Sequence, residues 1–316
     1  MKALIIDTSY LIYRSFFAYP HLTAKGVYTG AFFGFAKTIL TLIQQYKPDE
    51  LVFANDTTAP TWRHDVLADY KGNRPEIQEE MVQQIPLIKN WIKDITPNIF
   101  SQDGFEADDF IYTVSSQIAA GNNPNDQILI FSSDKDLYQI LVEPQVFFLQ
   151  TKTSKDGWKL FGQAEFIEKY GLDPKQWLDY KALTGDPSDN LKGVSGIGPK
   201  TATRILQEVG CLYNLFDTLG WDNDNLLSIS ILQNNARDFV ENSKNESLIN
   251  KIKSHKDILL QTYYLATLQS VPGTSLKKTG FDLTKGISSF YEFGFKSLIN
   301  STTKLAVEDA GSEALF

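Results

Sequence analysis

The sequence has little of the chemistry that sulfur and imidazole side chains provide. Its 316 residues contain a single cysteine, Cys211, and three histidines. One cysteine excludes an internal disulfide and suits a reducing compartment. Cys211 is either a catalytic thiol or, as we expect, a small packed side chain. There is also no cluster of Cys and His residues of the kind that binds zinc.

Long apolar runs are missing as well. Met1 and Lys2 lead directly into a strand-like segment, so we expect no signal peptide, no membrane-spanning helix and a cytoplasmic location. A hydrophobic content of 42% is normal for a packed globular chain of one large or two ordinary domains. The net charge of -8 lacks the positive excess that nucleic-acid partners usually select. The negative charge would argue against a nucleic-acid partner only if the acids were spread evenly over the surface, and they are not.

Acidic residues follow three short apolar runs. The runs cover residues 3–6, 51–54 and 128–131, and each precedes helix-like sequence, as in an α/β protein with buried parallel strands. The carboxyl ends of such strands meet at one edge of the sheet, where binding crevices form. We therefore expect the acids at these ends to face one cleft: Asp7, Asp56, Asp134 and Asp136.

A second group of acids begins a predicted helix. Glu106, Asp108 and Asp109 crowd its first turn, where carboxylates also stabilise the helix dipole, so simple capping is an alternative. Recurrence of the pattern, with Asp186 and Asp189 further on, favours one shared cluster. Like charges gather only around cations, and oxygen ligands favour magnesium or manganese over zinc. Bound dications would reverse the local field and make DNA an acceptable partner.

Residues 63–97 are polar and contain no obvious strand, as expected of an excursion that stands off the sheet. Arg63, Lys71 and Arg74 form a basic group at its base. These residues are either solvated surface charge or groups that face the acidic cleft.

A glycine-rich turn follows Asp189. Gly196 and Gly198 allow a tight turn whose backbone can approach a phosphate, and a helix that begins near Pro199 aims its amides at the same place. Lys200 and Arg204 add positive charge. No strand precedes the turn and the third glycine is missing, so it is not a dinucleotide-binding loop, and its spacing excludes a P-loop. It fits a helix-hairpin-helix that holds a nucleic-acid backbone, with a plain interhelical turn as the alternative.

With these motifs, the chain resembles the 5' nuclease family, most closely the 5'-to-3' exonuclease domain attached to bacterial DNA polymerase I and its stand-alone and phage relatives. The resemblance covers about residues 2–298 and rests on five segments: 7–14, 70–75, 106–109, 133–138 and 185–198. It implies a PIN-like α/β fold with a mostly parallel sheet flanked by helices. It also implies a helical arch at about 63–97 and a C-terminal helix-three-turn-helix. The chain departs from the polymerase-linked relatives by stopping near residue 316, so we expect a stand-alone form.

The resemblance also assigns roles to residues. The first of two Mg²⁺ or Mn²⁺ ions would be held by Asp7, Asp56, Glu106 and Asp108. The second would be held, directly or through water, by some combination of Asp109, Asp134, Asp136, Asp186 and Asp189. Lys71 and Arg74 match a basic pair that contacts the scissile phosphate. The DNA-binding residues would be Tyr10, Arg14, Arg63, Tyr70, Gly196, Gly198, Lys200, Thr201 and Arg204. Carbonyls at Val194 and Ile197 would bind K⁺. Residues 54–60 depart from the family pattern, so Asn55 is an alternative to Asp56.

We therefore predict a nuclease core at 1–185, a helix-three-turn-helix and C-terminal helical region at 186–300, and a mobile tail at 301–316. The predicted activity is two-metal hydrolysis of DNA with a free 5' end or 5' flap, giving 5'-phosphorylated products. Alternatives are a related metal-dependent ribonuclease and an inactive DNA-junction binding protein. We expect a monomer, and the end of the tail, Ser312 to Phe316, faintly resembles peptides that bind sliding clamps.

Overall fold

A six-stranded sheet organises the computed structural model, which describes residues 1–151, 157–221 and 235–313. Its strand order is β5-β4-β1-β6-β7-β8, and all neighbouring pairs are parallel except β7 and β8. Two short hairpins, β2 with β3 and β9 with β10, lie outside it. The strands are β1 (Lys2–Asp7), β2 (Thr23–Ala24), β3 (Val27–Tyr28), β4 (Glu50–Ala54), β5 (Ile99–Phe100), β6 (Gln127–Phe131), β7 (Val146–Thr151), β8 (Trp158–Phe161), β9 (Gly185–Asp186) and β10 (Leu191–Lys192).

Helices cover both faces of the sheet, and no described helix is both long and apolar enough to cross a membrane. The α-helices are α1 (Thr8–Ala18), α2 (Gly30–Tyr46), α3 (Trp62–Val66), α4 (Glu79–Val82), α5 (Ile85–Ile95), α6 (Ala107–Ala119), α7 (Gln163–Tyr170), α8 (Trp177–Thr184), α9 (Pro199–Val209), α10 (Leu212–Thr218), α11 (Ala236–Glu241), α12 (Glu246–Ser254), α13 (Lys256–Ala266), α14 (Ile287–Phe293) and α15 (Lys296–Glu313). Short 3₁₀ helices span Asp136–Val142, Pro174–Gln176, Pro187–Asp189, Ser243–Asn245 and Leu283–Gly286.

The central strands are apolar on both faces because both faces are buried. Along β1, Ala3 and Ile5 belong to one core cluster, and Leu4 and Ile6 belong to the other. The first cluster packs under α6, α8, α9 and α13, and the second packs under α1, α2, α5, α14 and α15. Period-two alternation between two buried layers is the pattern expected of a parallel sheet. The predicted mostly parallel α/β fold is confirmed.

The region that stands off the sheet is shorter than the predicted 63–97. Residues 72–79 are exposed, but α5 packs into the core on the α2 side of the sheet. Ile88 and Trp91 of this helix are fully buried. The helix is strongly amphipathic, and its apolar face is covered by the core. Only the exposed run 72–79, between the buried Tyr70 and the buried Met81, is therefore free to form an arch.

Residues 301–313 of the predicted mobile tail continue helix α15. Thr302 and Leu305 are buried, and Leu305 belongs to the core cluster that also contains α2 residues. One core cluster continues from the sheet into α9 and α13, whereas residues 283–305 pack against the other face. The predicted division at residue 185 stays a prediction.

Replacing Ile88 with alanine tests whether α5 is part of the core. We expect Ile88→Ala to lower the free energy of unfolding by about 2–5 kcal/mol, because it leaves a cavity in a packed layer. The neighbouring Lys89 is exposed, so Lys89→Ala should change stability by less than about 0.5 kcal/mol. Urea denaturation measures both variants. Equal small effects would mean that α5 does not belong to the core.

Candidate active site

One cavity opens at the carboxyl edge of the sheet, where β1, β4 and β6 end. It has a volume of about 250 Å³, and Lys71 and Arg74 form part of its wall. Four acids line it: Asp7, Asp56, Asp108 and Asp134. The strand ends and the first turn of α6 therefore gather four of the nine predicted acids into one cavity, and their role as metal ligands stays a prediction.

Local backbone geometry fixes two of these carboxylates. Asp7 ends β1 and caps α1, where one carboxylate oxygen accepts the Tyr10 amide at 3.0 Å and the other accepts the Ser132 hydroxyl at 2.7 Å. Asp56 accepts the Ser9 hydroxyl at 2.7 Å and the Ala107 amide at 2.9 Å. Both side chains are held by donors, so their orientation toward the cavity is set before any ligand binds.

Asn55 faces a different cavity. Its side-chain amide donates to the carbonyl of Phe100 at 3.5 Å, and it lines a cavity with Lys89 and Ser101. Asp56, rather than Asn55, therefore presents its carboxylate to the acidic cleft.

The four cavity acids repel one another. Burial, followed by the nearby Asp56, raises the pKa of Asp7 to about 7. Burial, followed by Asp134 and Asp7, raises the pKa of Asp108 well above its usual range. Within the described part of the chain, no Lys or Arg forms an ion pair with any of these four acids. A cation from outside would remove this repulsion.

Arg63 and Asp109 are not placed as the resemblance implies. Asp109 is fully buried, and its two carboxylate oxygens accept hydrogen bonds from the two terminal guanidinium nitrogens of Arg63, at 2.9 and 3.0 Å. Arg63 is 2% exposed and also donates to the carbonyls of Leu265 and Thr267. This buried pair ties α3, α6 and the end of α13 together. The prediction of Arg63 as a DNA contact is wrong, because its side chain is inaccessible. The carboxylate of Asp109 is occupied by the Arg63 guanidinium and has no free face for a metal ion.

A second set of charges connects the base of the excursion to the acids. The ammonium of Lys71 lies 2.9 Å from a Glu106 oxygen, and Arg74 lies 2.9 Å from Asp189. The Tyr70 hydroxyl donates to both acids, at 3.2 and 3.1 Å, and the side chain is 4% exposed. Tyr70 is thus a buried link between two carboxylates, which corrects its prediction as a DNA-binding residue. Lys71 and Arg74 keep a face on the cavity.

Sequence reasoning missed Lys181. This lysine of α8 is 6% exposed, and its ammonium forms ion pairs with both Asp136 and Asp186. Burial by itself lowers the pKa of Lys181, but the two acids outweigh burial and raise it above its usual range. Its position five residues before Asp186 was the only sequence signal that it could pair with this acid. A single lysine in an apolar helix is otherwise indistinguishable from a surface lysine.

Tyr10 and Arg14 lie at the edge of the cavity. Tyr10 lines it, and its ring contacts Phe131 with centroids 5.4 Å apart. Arg14 donates to the Tyr10 hydroxyl at 3.2 Å and lies over the Trp158 ring at 4.9 Å. The structure places both residues next to the acids. Their contact with DNA stays a prediction.

The glycine-rich turn leads into α9 as predicted. Gly196 has φ of +78°, and a side chain there would also meet the Lys251 ammonium, with the added carbon 2.8 Å from it. Val194 and Ile197 are buried below the turn, and the Ile197 amide donates to the Val194 carbonyl at 2.9 Å. Three more predicted DNA contacts, Gly198, Lys200 and Arg204, are exposed, and Thr201 beside them is half-buried.

The donor set suits a hard divalent cation. Every acid in the cleft offers oxygen, and carboxylate oxygen is the ligand that Mg²⁺ and Mn²⁺ prefer. Among the described residues, however, no group of three or more His, Cys, Asp or Glu side chains is already arranged to hold a metal ion. The carboxylates fall into two sets. The open set forms no ion pair within the described residues and consists of Asp7, Asp56, Asp108 and Asp134. The paired set contacts Lys or Arg side chains and consists of Glu106, Asp109, Asp136, Asp186 and Asp189.

Comparison with known proteins agrees with the site. The family model for the N-terminal resolvase-like domain of 5'-3' exonucleases matches residues 2–171, and the model for their C-terminal SAM fold matches residues 172–284. A 5'-3' exonuclease of Aquifex aeolicus is 38% identical over 68% of this chain and 72% of its own length. DNA polymerase I of Bacillus subtilis is 28% identical over 99% of this chain, which spans only 34% of that polymerase.

A similar solved structure is the bacteriophage T5 D15 flap endonuclease, in a pseudo-enzyme-product complex with DNA and metal ions. It has a TM-score of 0.63 and 20% identity, and the match covers 97% of this chain and 98% of the T5 chain. At that identity, the likeness establishes the fold.

Asp108 and Asp109 offer a matched test of the two kinds of acid. In metal-free protein, Asp109→Asn should cost about 3 kcal/mol or more, because it leaves the buried Arg63 without its anion. Asp108→Asn removes a repelled charge and should leave stability unchanged or raise it. Urea denaturation in EDTA measures both. A stability loss in Asp108→Asn with none in Asp109→Asn would contradict this division of the acids.

Proposed function

Because the chain belongs to the 5'-3' exonuclease family, we propose that it hydrolyses phosphodiester bonds of DNA that has a free 5' end or a 5' flap. The products would carry a 5' phosphate. The observation that carries the proposal is the cavity itself, in which four acids that form no ion pair within the described part of the chain face the basic side chains of Lys71 and Arg74. A phosphodiester flanked by divalent cations is the ligand that complements both charges.

Asp7, Asp56, Asp108 and Asp134 would hold the first divalent cation, Mg²⁺ or Mn²⁺, and a second would use acids of the paired set. When bound, such ions supply Lewis-acid stabilisation of charge at the scissile phosphate. Lys71 and Arg74 bind the same phosphate and offset the negative charge that grows in the transition state. Their ion pairs with Glu106 and Asp189 hold both side chains at the cavity before DNA arrives.

The turn at 193–198 and the start of α9 would hold the duplex beside the cavity. Backbone amides, Lys200 and Arg204 contact phosphates rather than bases, so binding follows DNA structure and not sequence. Affinity should fall as salt rises because counterions are released on binding. Potassium at the carbonyls of Val194 and Ile197 would support the same turn, and replacing K⁺ by tetramethylammonium in binding assays checks this.

Three further expectations accompany this function. A monomeric state and a cytoplasmic location agree with the work of such an enzyme. Clamp binding through Ser312 to Phe316 involves residues 314–316, which lie outside the described part of the chain. Clamp affinity that is unchanged after deletion of the last five residues would end that idea.

A flap-cleavage assay tests the proposed function. The full chain should cut a labelled 5'-flap DNA in Mg²⁺ or Mn²⁺ and lose all cleavage in EDTA, with products that have a 5' phosphate. The matched RNA flap should be cut far more slowly. Preferential RNA cleavage would favour the ribonuclease, and flap binding without cleavage in either metal would favour an inactive junction binder.

Lys71 provides a sharper test. Lys71→Ala should lower the rate of flap cleavage by about 10²–10³-fold, as expected for loss of one transition-state donor, while DNA affinity changes much less. Lys71 has a positive φ of 55°, so alanine also adds backbone strain. Lys47 is exposed and has φ of 47°, which makes Lys47→Ala a control with the same strain. Equal losses of rate and affinity in Lys71→Ala would contradict the role.

A further inference from the structure

Lys181 lies where the paired acids would otherwise receive a metal ion. Its ammonium contacts Asp136, which follows β6, and Asp186, which belongs to β9. The resemblance assigns these two acids to the second divalent cation. A buried ammonium is costly unless it is paired, so the side chain is held there by the same carboxylates that a metal would use.

The charge of this group is only partly balanced. One lysine faces two carboxylates, and Asp136 is 7% exposed with an Oδ1 that makes no hydrogen bond beyond its ion pair with Lys181. Asp186 also accepts the amide and hydroxyl of Ser188, so its orientation is fixed by the chain. The two acids are therefore prepared for a cation of higher charge than a lysine provides.

The open set differs in this respect. Asp7, Asp56, Asp108 and Asp134 line the same region of the cleft, but within the described residues no base forms an ion pair with them. A divalent ion enters that set without displacing anything. At Asp136 and Asp186, it must first displace a resident ammonium.

We propose that Lys181 is a built-in cation that occupies the second divalent site of the free protein, so that the two metal ions bind with unequal affinity. This inference rests on the proposed function for its biological meaning, but not for its measurement. Lys181 acts through the acids and is a positioning residue. It holds Asp136 and Asp186 together until a second divalent ion takes its place.

The location of Lys181 connects this exchange to the duplex-binding turn. Helix α8 ends at Thr184, and the carbonyl of Leu183 accepts the Val194 amide at 2.9 Å at the start of the turn. Helix α8 therefore carries Lys181 and is also hydrogen-bonded to the turn at 193–198. Binding of the second ion, which moves the lysine side chain, and the position of the turn both depend on this helix.

Titration of the DNA-free chain with Mn²⁺, followed by electron paramagnetic resonance and calorimetry, tests the proposal. In the wild type, we expect a second site at least tenfold weaker than the first. Lys181→Met removes the charge and keeps much of the stem, so its second site should tighten tenfold or more. Lys181→Arg keeps the charge and should keep the second site weak.

Lys192→Met is the control for a general change of charge. Lys192 is exposed on β10, which pairs with the strand of Asp186, but it forms no ion pair with the acids among the described residues. This variant should bind both ions as the wild type does. Circular dichroism checks folding, and Lys181→Gln, which keeps a polar group, replaces Lys181→Met if methionine unfolds the protein. Mn²⁺ should also raise the Tm of the neutral variant more than that of the wild type.

Two equally tight sites in the wild type, or a second site that is unchanged or weaker in both neutral variants, would overturn the inference. The flap assay fails or succeeds separately. A chain that cuts no flap but shows the expected titration would refute the proposed function and leave the exchange intact. A wild type that cuts the flap but binds two ions with equal affinity would support the proposed function and refute the exchange.

Discussion

Repulsion among carboxylates at one edge of a parallel sheet is the constraint on which this structure depends. Parallel strands deliver their carboxyl ends to the same side, so acids placed after them must meet. The chain balances the resulting negative charge in two ways. Some acids are paired with its own Lys and Arg side chains, and the others are left for cations from solution. The net charge of -8 follows largely from this arrangement and gives no indication against a DNA partner.

The internal ion pairs also connect parts of the molecule that lie far apart in sequence. Arg63 joins the base of the excursion to α6 and to the end of α13, and Lys71 and Arg74 bring its next turn to Glu106 and Asp189. The proposed phosphate-binding side chains are thus positioned by the acidic cluster that they face. Lys181 does the same for the helix that precedes the turn at 193–198. Charge pairing and the shared apolar cluster together fix the relation between these parts.

Local patterns predicted the sheet and the open acids well. Apolar runs that end in Asp7 or Asp134 are short-range signals, and strand ends converge by a general rule of α/β folds. The partners of Asp109 and Asp136 were not predictable in this way, because Arg63 and Lys181 lie 46 and 45 positions away and are bound by tertiary contact. Helix α5 was misplaced because its polar face looks like a solvated excursion, whereas its apolar face is covered by the core. The final helix was missed because its sequence is small and acidic.

Asp7, Asp56, Asp108 and Asp134 form the first cation site that we propose. An anomalous difference map from a crystal of the full chain, soaked in Mn²⁺ without DNA, would locate that site. We expect the strongest peak among these four carboxylates, within about 2.5 Å of oxygens from at least two of them. A strongest peak elsewhere, with none in this cavity, would contradict this proposal.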